Sequence, residues 1–332
     1  MPEPAPPDPP VQRWPVPAAL DGERVDRALA LITGLSRREV NAVLDEGRVV
    51  IGRRAVGSHS RRVHTGEHLE VRGVLEASGP PPLLADPTVA FGIVHSDEAV
   101  VVVDKPAGLV VHPGHGPHRP TLVQGLLARF PDLAAMAVGA SSERPGIVHR
   151  LDKGTSGLLV VARSPEGRDD LIAQLARREV KREYLALVFG HVDSDAGLID
   201  APLRRSDTDP SRIRVQIGGR PARTRYEVLD RFDHPVPSTL VRCRLETGRT
   251  HQIRVHLASI GHPVAGDDRY GGGARRGWPD LGPERPFLHA AALGFRHPSS
   301  GQACHFEAPL HDDLMNVLRQ IGGVGSGLAG RV

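Results

Sequence analysis

Residues 147–161, Ile-Val-His-Arg-Leu-Asp-Lys-Gly-Thr-Ser-Gly-Leu-Leu-Val-Val, place one carboxylate, Asp152, in a short polar loop between apolar runs. Arg150 and Lys153 flank it. The pattern suits a catalytic loop: strand-like ends hold it rigidly, Gly154 and Gly157 let the backbone approach a ligand, and the two cations attract an anionic substrate. A polar turn in which Asp152 bonds only its own backbone has the same composition, so the rest of the chain must decide. Two further stretches are more polar than their apolar settings: Lys181-Arg182-Glu183-Tyr184 and Gly248-Arg249-Thr250-His251-Gln252-Ile253-Arg254.

Other chemistries fit less well. His112, His115 and His118 recur every third residue, but Pro113, Gly114, Gly116 and Pro117 prevent a helix that would align them, and no thiolate or carboxylate nearby completes a metal shell. His251 and His256 are five apart, not the four that would stack them on a helix. Hydrolysis of a carbohydrate glycosidic bond generally needs a second carboxylate, and none is linked by motif to Asp152.

The elements that must position these residues fall into two groups. The chain has 332 residues, enough for about two domains. Its two cysteines, Cys243 and Cys304, cannot make a disulfide framework and fit a reducing compartment. The proline-rich start has no signal-peptide pattern and no apolar run reaches membrane length, so a cytoplasmic location is expected. Residues 1–19 read as a disordered proline-rich tail, 20–74 as a small unit, 75–87 as a linker, 88–320 as a large unit and 321–332 as a flexible tail.

In the small unit Val25, Leu29 and Ile32 have helical spacing, Ser36-Arg37-Arg38-Glu39 reads as a capping box for a second helix ended by Gly47, and strands are expected at 48–51 and 68–71. The large unit is strand-rich: 99–103 and 158–162 are continuous apolar runs, 184–189 is a further strand, and 241–246 alternates. Helices are expected over 169–178, with Leu171, Ile172 and Leu175 inward, and over 250–260, with Ile253, Leu257 and Ile260 on one stripe before Gly261. Strands and helices that do not alternate regularly predict an α+β fold.

Net charge is only +3, but arginines cluster. Between Arg48 and His64 there are five and no acid, and between Leu203 and Arg225 seven against Asp207 and Asp209. Such islands are expected to meet a polyanion, with solvated surface charge as the alternative.

The polar stretches, with Lys105-Pro106-Ala107-Gly108-Leu109-Val110-Val111-His112-Pro113, Gly219–Tyr226, Gly266-Asp267-Asp268-Arg269-Tyr270-Gly271, Leu288-His289-Ala290 and His297-Pro298, resemble the RluA/RluD-type RNA pseudouridine synthases over nearly all of residues 90–315. The small unit resembles the S4 RNA-binding domain that many members carry. The resemblance implies a mainly antiparallel mixed sheet flanked by helices, preceded by a small α/β domain. It also implies the reaction: the glycosidic bond of a uridine in RNA breaks, the uracil turns, and it is rejoined through carbon 5. No cofactor or metal is implied, the protein is expected to act as a monomer, and large-subunit ribosomal RNA is the expected substrate.

By the same resemblance Asp152 is the catalytic residue, acting on the sugar as nucleophile or base and therefore ionised. Arg254 pairs with it, and Tyr184 stacks on the uracil with its hydroxyl assisting loss of the carbon-5 proton. Arg150 fills the gap left by the flipped nucleotide, or else contacts phosphate or pairs with a nearby acid, and Ile253 forms an apolar wall or plain core. Lys105 and His112 are expected to line the cleft. Arg37, Arg38, Arg53, Arg54, Arg61 and Arg62 are expected to bind RNA. This chain has Gly154 where many relatives carry an acid, and Gly52-Arg53 where an Asn-Gly turn is usual. A rival reading, an RNA-binding assembly factor that keeps the fold without catalysis, must account for Asp152, Tyr184 and Arg254 all being present.

Overall fold

The computed structural model describes residues 10–35, 37–52, 54–73, 83–113, 120–137 and 144–322, with the backbone alone at 37 and 38. The described residues divide into two compact units, 10–83 and 84–322.

The first unit runs β1 (Val11–Pro15), α1 (Val25–Thr33), α2 (Arg37–Asp45), β2 (Val49–Ile51), β3 (Arg54–Ala55) and β4 (His68–Arg72). Its strands form one sheet in the order β1-β4-β2-β3, every pair antiparallel. Val25, Ala28 and Leu29 of α1 and Val40, Val43 and Leu44 of α2 bury their faces with Val49, Ile51, Leu69 and Val71. Ser36, the proposed cap, lies outside the described residues. One expectation is corrected here. Residues 11–15 lie within the stretch read as disordered, yet they pair with β4 from Val11 opposite Arg72 to Pro15 opposite His68. Trp14 packs against the core, and an edge strand tolerates a proline because one side of its backbone needs no ladder bond.

The second unit contains β5 (Gly92–Ser96), β6 (Val100–Lys105), α3 (Leu122–Arg129), β7 (Ser156–Ala162), α4 (Pro165–Ala176), β8 (Lys181–Phe189), β9 (Ala196–Asp200), β10 (Leu203–Arg205), β11 (Ile213–Val215), β12 (Arg223–Phe232), β13 (Ser238–Leu245), α5 (Gln252–Ser259), β14 (Leu288–Arg296), β15 (Ala303–Glu307) and α6 (Asp312–Gln320). The main sheet runs β5-β6-β7-β14-β8-β13-β12-β9. The first half of β14 pairs in parallel with β7 at His289–Ser156 and Ala290–Gly157, and its second half pairs with β15. The other ladders along that order are antiparallel. This is the expected α+β class, a mainly antiparallel mixed sheet with helices. Strands β6 and β7 are buried on both faces, which is why they read as unbroken apolar runs.

Two helices differ in detail. Helix α4 starts at Pro165, because Ser164 caps it by accepting the Gly167 N–H at 3.0 Å. Its buried side is Gly167, Leu171 and Gln174, while Ile172 is 40% exposed. Gln174 takes the inward place because its side-chain amide clasps the Arg296 backbone of β14, donating to the carbonyl at 2.7 Å and accepting from the N–H at 2.9 Å. Helix α5 buries Gln252 to Leu257 on all sides, and Ile260 lies beyond its end, 39% exposed.

Candidate active site

Asp152 sits in the loop leading into β7, Tyr184 on β8, and Ile253 and Arg254 in the first turn of α5. All four line one cavity of about 490 Å³. The Asp152 backbone carbonyl closes a turn with the Thr155 N–H at 3.1 Å, but its carboxylate is not consumed there: Oδ2 accepts from Arg254 Nη1 at 3.1 Å. A simple turn in which Asp152 satisfies only itself is therefore not what forms.

Arg254 is itself held by a residue that sequence reasoning gave no role. Asp267 is 1% exposed and accepts from Arg254 Nε at 2.7 Å and Nη2 at 2.8 Å, a two-point grip that leaves Nη1 for Asp152. The Arg269 N–H steadies the same carboxylate at 3.2 Å. Burial works against charge on Arg254, yet hydrogen bonding and attraction from Asp267, with Asp152 adding, raise its pKa above the usual arginine value. The signal for Asp267 was its place in the Gly266–Gly271 stretch; nothing local to that stretch points toward Arg254.

His251 adopts a left-handed backbone, φ 54°, at the start of α5. The Ile213 N–H donates to the Tyr270 hydroxyl at 3.0 Å, and that hydroxyl lies 2.7 Å from His251 Nδ1. With the phenol hydrogen given to Nδ1, the ring's Nε2–H faces Asp152 Oδ1 at 3.9 Å. Burial lowers the His251 pKa, which keeps the ring neutral. The Tyr270 ring also lies under the Arg254 guanidinium, 5.1 Å from ring centre to carbon.

Tyr184 is buried, and that burial raises its pKa; Arg182 opposes the rise and Asp152 adds to it, so the phenol stays protonated at neutral pH. Arg150 is exposed on the cavity wall, with no ion-pair partner among the described residues. His112 also lines the cavity, its pKa lowered to about 4 by burial with Arg144 and Arg150 adding, so it is neutral.

Lys105 does not line the cavity. It is fully buried behind the loop, where Nζ donates to the carbonyls of Pro106 (2.8 Å), Leu109 (2.9 Å) and Lys153 (3.2 Å). The Gly108 N–H and Arg285 Nη1 hold the carbonyls of Lys153 and Gly154, both at 2.8 Å, and Lys153 pairs with Glu284. Burial, with Arg285 adding, pushes the Lys105 pKa down to about 7 from 10.5. The folded state then binds fewer protons than the unfolded chain between those values, so this residue's contribution to stability rises with pH from about 7 to about 10.5. We predict that urea unfolding of wild type and of Lys105→Met will show the difference moving in favour of wild type across that window; a difference independent of pH would contradict the burial of a charged amine.

The loop glycines act differently from the expectation. A Cβ on Gly154 would lie 2.0 Å from the Glu284 carbonyl oxygen, and one on Gly157, φ +105°, would lie 2.3 Å from that of Ala290. The space they leave is filled by the protein's own backbone, not kept for a ligand. At Gly154 a neighbouring segment packs directly on the loop.

The basic islands are more neutralised than their sequence suggests. In the second, Arg204 and Arg214 pair with Asp207, Arg212 with Asp209, Arg223 with Asp200 and Glu246, and Arg225 with Glu246. In the first, Arg61 pairs with Glu67, Arg62 donates to the Gly22 carbonyl at 2.6 Å, and Arg54 is exposed. Arg53 and the side chains of Arg37 and Arg38 lie outside the described residues. So do His115 and His118, and among the described residues no group of three or more His, Cys, Asp or Glu could hold a metal. No helix among them is long and apolar enough to cross a membrane.

Residues 99–259 match the family model for RNA pseudouridylate synthase. Along 315 residues the chain is 44% identical to a ribosomal large subunit pseudouridine synthase D of Nitrosomonas europaea, covering 92% of this chain and 86% of that one. The chain belongs to the RNA pseudouridine synthases, and within them to the RluD type. An RNA pseudouridine synthase of Chloroflexus aurantiacus is 45% identical over 310 residues, with 92% of each chain covered. Among solved structures, human RNA pseudouridylate synthase domain containing 1 superposes on the synthase with a TM-score of 0.52 at 27% identity, over 70% of this chain and 86% of that one.

Proposed function

We propose that the synthase converts uridines of large-subunit ribosomal RNA to pseudouridine, with Asp152 as the reacting carboxylate. The observation that carries this is the Asp152–Arg254–Asp267 chain of contacts, in which an arginine fixed from behind aims one carboxylate into a cavity shared with Tyr184. The choice of RNA follows the D-type relatives of Nitrosomonas europaea, Xanthomonas campestris and Neisseria meningitidis, named as ribosomal large subunit enzymes.

A uridine stacked in RNA cannot offer both its anomeric carbon and its carbon 5 to one pocket, so it must be flipped out. Arg150, exposed on the cavity wall, takes the space the base vacates. Asp152 then attacks carbon 1′ or takes the carbon 2′ proton, and either step frees the uracil to turn. Ile253 and the Tyr184 ring hold the turning base between apolar surfaces. The protonated phenol can only pass a proton on: it takes the carbon-5 proton while giving its own to Asp152, in whose field it lies. Tyr184→Phe keeps the ring, so RNA affinity should hold while single-turnover product formation slows by about 10²-fold. Product formed at the wild-type rate would remove the hydroxyl from the reaction.

The first unit, as an S4-like domain, supplies docking through the exposed arginines of the 48–64 island. RNA affinity should fall steeply with salt, and a flat response would contradict phosphate contacts. Deleting residues 1–74 should weaken binding more than it slows the bound complex. The assignment as a whole is tested by incubating the synthase with ribosomal RNA from cells that lack it and locating new pseudouridines.

A further inference from the structure

One buried cation in the cavity wall has no counterpart among the described residues. Arg182 lies on β8 two residues before Tyr184, so both side chains leave the same face of the strand. It is 8% exposed and has no hydrogen-bond or ion-pair partner among the described residues, and its Nε is buried with nothing to donate to. A buried guanidinium without an acceptor is expensive to keep. Beside it, His149 accepts the Val160 N–H through Nε2 at 3.1 Å, so its hydrogen sits on Nδ1, which is also buried without a partner. Burial, with Arg182 adding, lowers the His149 pKa to about 3 and keeps the ring a neutral donor. Gly248 has an ordinary backbone angle, yet a Cβ there would lie 2.7 Å from Arg182 Nη1. Its missing side chain makes room for the guanidinium.

We propose that Arg182, assisted by His149 Nδ1–H, receives the carbonyl oxygens of the target uracil and carries the negative charge the base acquires when its bond to the sugar breaks. The inference rests on the reaction proposed above. As the C1′–N1 bond breaks, its electron pair stays on N1 and spreads to O2 and O4. Carbon 1′ meanwhile bonds an Asp152 oxygen, or forms a double bond to carbon 2′, whose proton Asp152 takes. Carbon 5 then bonds carbon 1′ as the Asp152–carbon 1′ bond breaks and its electron pair returns to the carboxylate, or as Asp152 gives its proton back to carbon 2′; the charge on the base disappears at this step, after which carbon 5 loses its proton and N1 gains one. Both routes pass through the same anion, so Arg182 serves either. A base edge fits this position better than a backbone phosphate: Arg144 and Arg150 on the same cavity are exposed and available to the backbone, whereas Arg182 is buried.

Arg182→Met tests this on an RNA that the wild-type enzyme has first been shown to convert, so that a wrong substrate is detected before any variant is judged. The single-turnover rate should fall by about 10²-fold or more, as for loss of a donor to a developing anion. RNA affinity and its salt slope should stay as in wild type, and the melting temperature should hold or rise, since an unpaired buried charge is gone. Arg182→Lys should recover part of the rate, and Gly248→Ala should slow the same step by displacing the guanidinium. A rate within about threefold of wild type overturns the proposal. So does weaker binding with a salt slope reduced by about one, which marks a phosphate contact, and so does a lowered melting temperature, which marks a structural role.

Discussion

Asp152→Asn is expected to leave the synthase folded, able to bind RNA, and without activity. Asparagine preserves the shape of the side chain and can still accept from Arg254 Nη1, which holds Asp152 Oδ2 at 3.1 Å in the wild type. It is a poor nucleophile at carbon 1′ and a poor base at carbon 2′, so both chemical routes stop together. Loss of a residue that performs the chemistry itself costs on the order of 10⁴-fold or more in single turnover. RNA affinity should change by less than about threefold, because a carboxylate is not what attracts a polyanion and removing its charge weakens no such attraction. A variant that still forms pseudouridine within about tenfold of the wild-type rate would show that another group does the chemistry.

The second large effect is expected far from the reacting atoms in sequence. In Asp267→Asn one oxygen of the two-point grip becomes an amide NH2 that faces an Arg254 N–H, two donors opposed. The arginine must turn, and the Nη1 that aims Asp152 turns with it. Breaking a buried pair by changing one member costs about 3–5 kcal/mol, and the low end is expected because Asp152 remains as a partner. Urea unfolding should show that loss. At a temperature where the variant is fully folded, single turnover should fall by about 10²-fold from misalignment alone. Normal turnover in a destabilised variant would show that Asp152 keeps its aim without Arg254.

These two residues mark what can be read from the chain and what cannot. Asp152, Tyr184 and Arg254 each sit in a short stretch whose polar residues interrupt an apolar element, so each announces itself locally. Asp267 does not, because its task is set by a side chain 13 positions away on a helix whose orientation only packing decides. Lys105 misled for a related reason. A lysine before a proline looks like an exposed turn, but β6 continues through it and buries it under the Asp152 loop, where three backbone carbonyls stand in for water. Gly154 and Gly157 were legible as places of close approach, but what approaches, strand β14 and the segment at Glu284, belongs to long-range topology.

The same division holds for the fold. Long apolar runs and clear periodicity located β6, β7, β8, β13, α1 and α5. Strand β1 was hidden because proline-rich composition outweighs a five-residue alternating strand that exists only through its partner β4. The arginine islands show the limit of counting charge along a sequence: Glu246, Asp200 and Glu67 neutralise arginines from outside the windows in which they were counted. Arg150 at the exposed wall of the cavity and Arg182 inside it have no ion-pair partner among the described residues, which depends on where the distant acids fold.

Mapping pseudouridines in total RNA is the most direct test of the assignment, comparing cells that lack the synthase with cells rescued by wild type and by Asp152→Ala. The expected result is loss of pseudouridine at defined uridines of large-subunit ribosomal RNA, restored by wild type and not by the variant. A pattern unchanged by loss of the protein, or restored equally by Asp152→Ala, would contradict it.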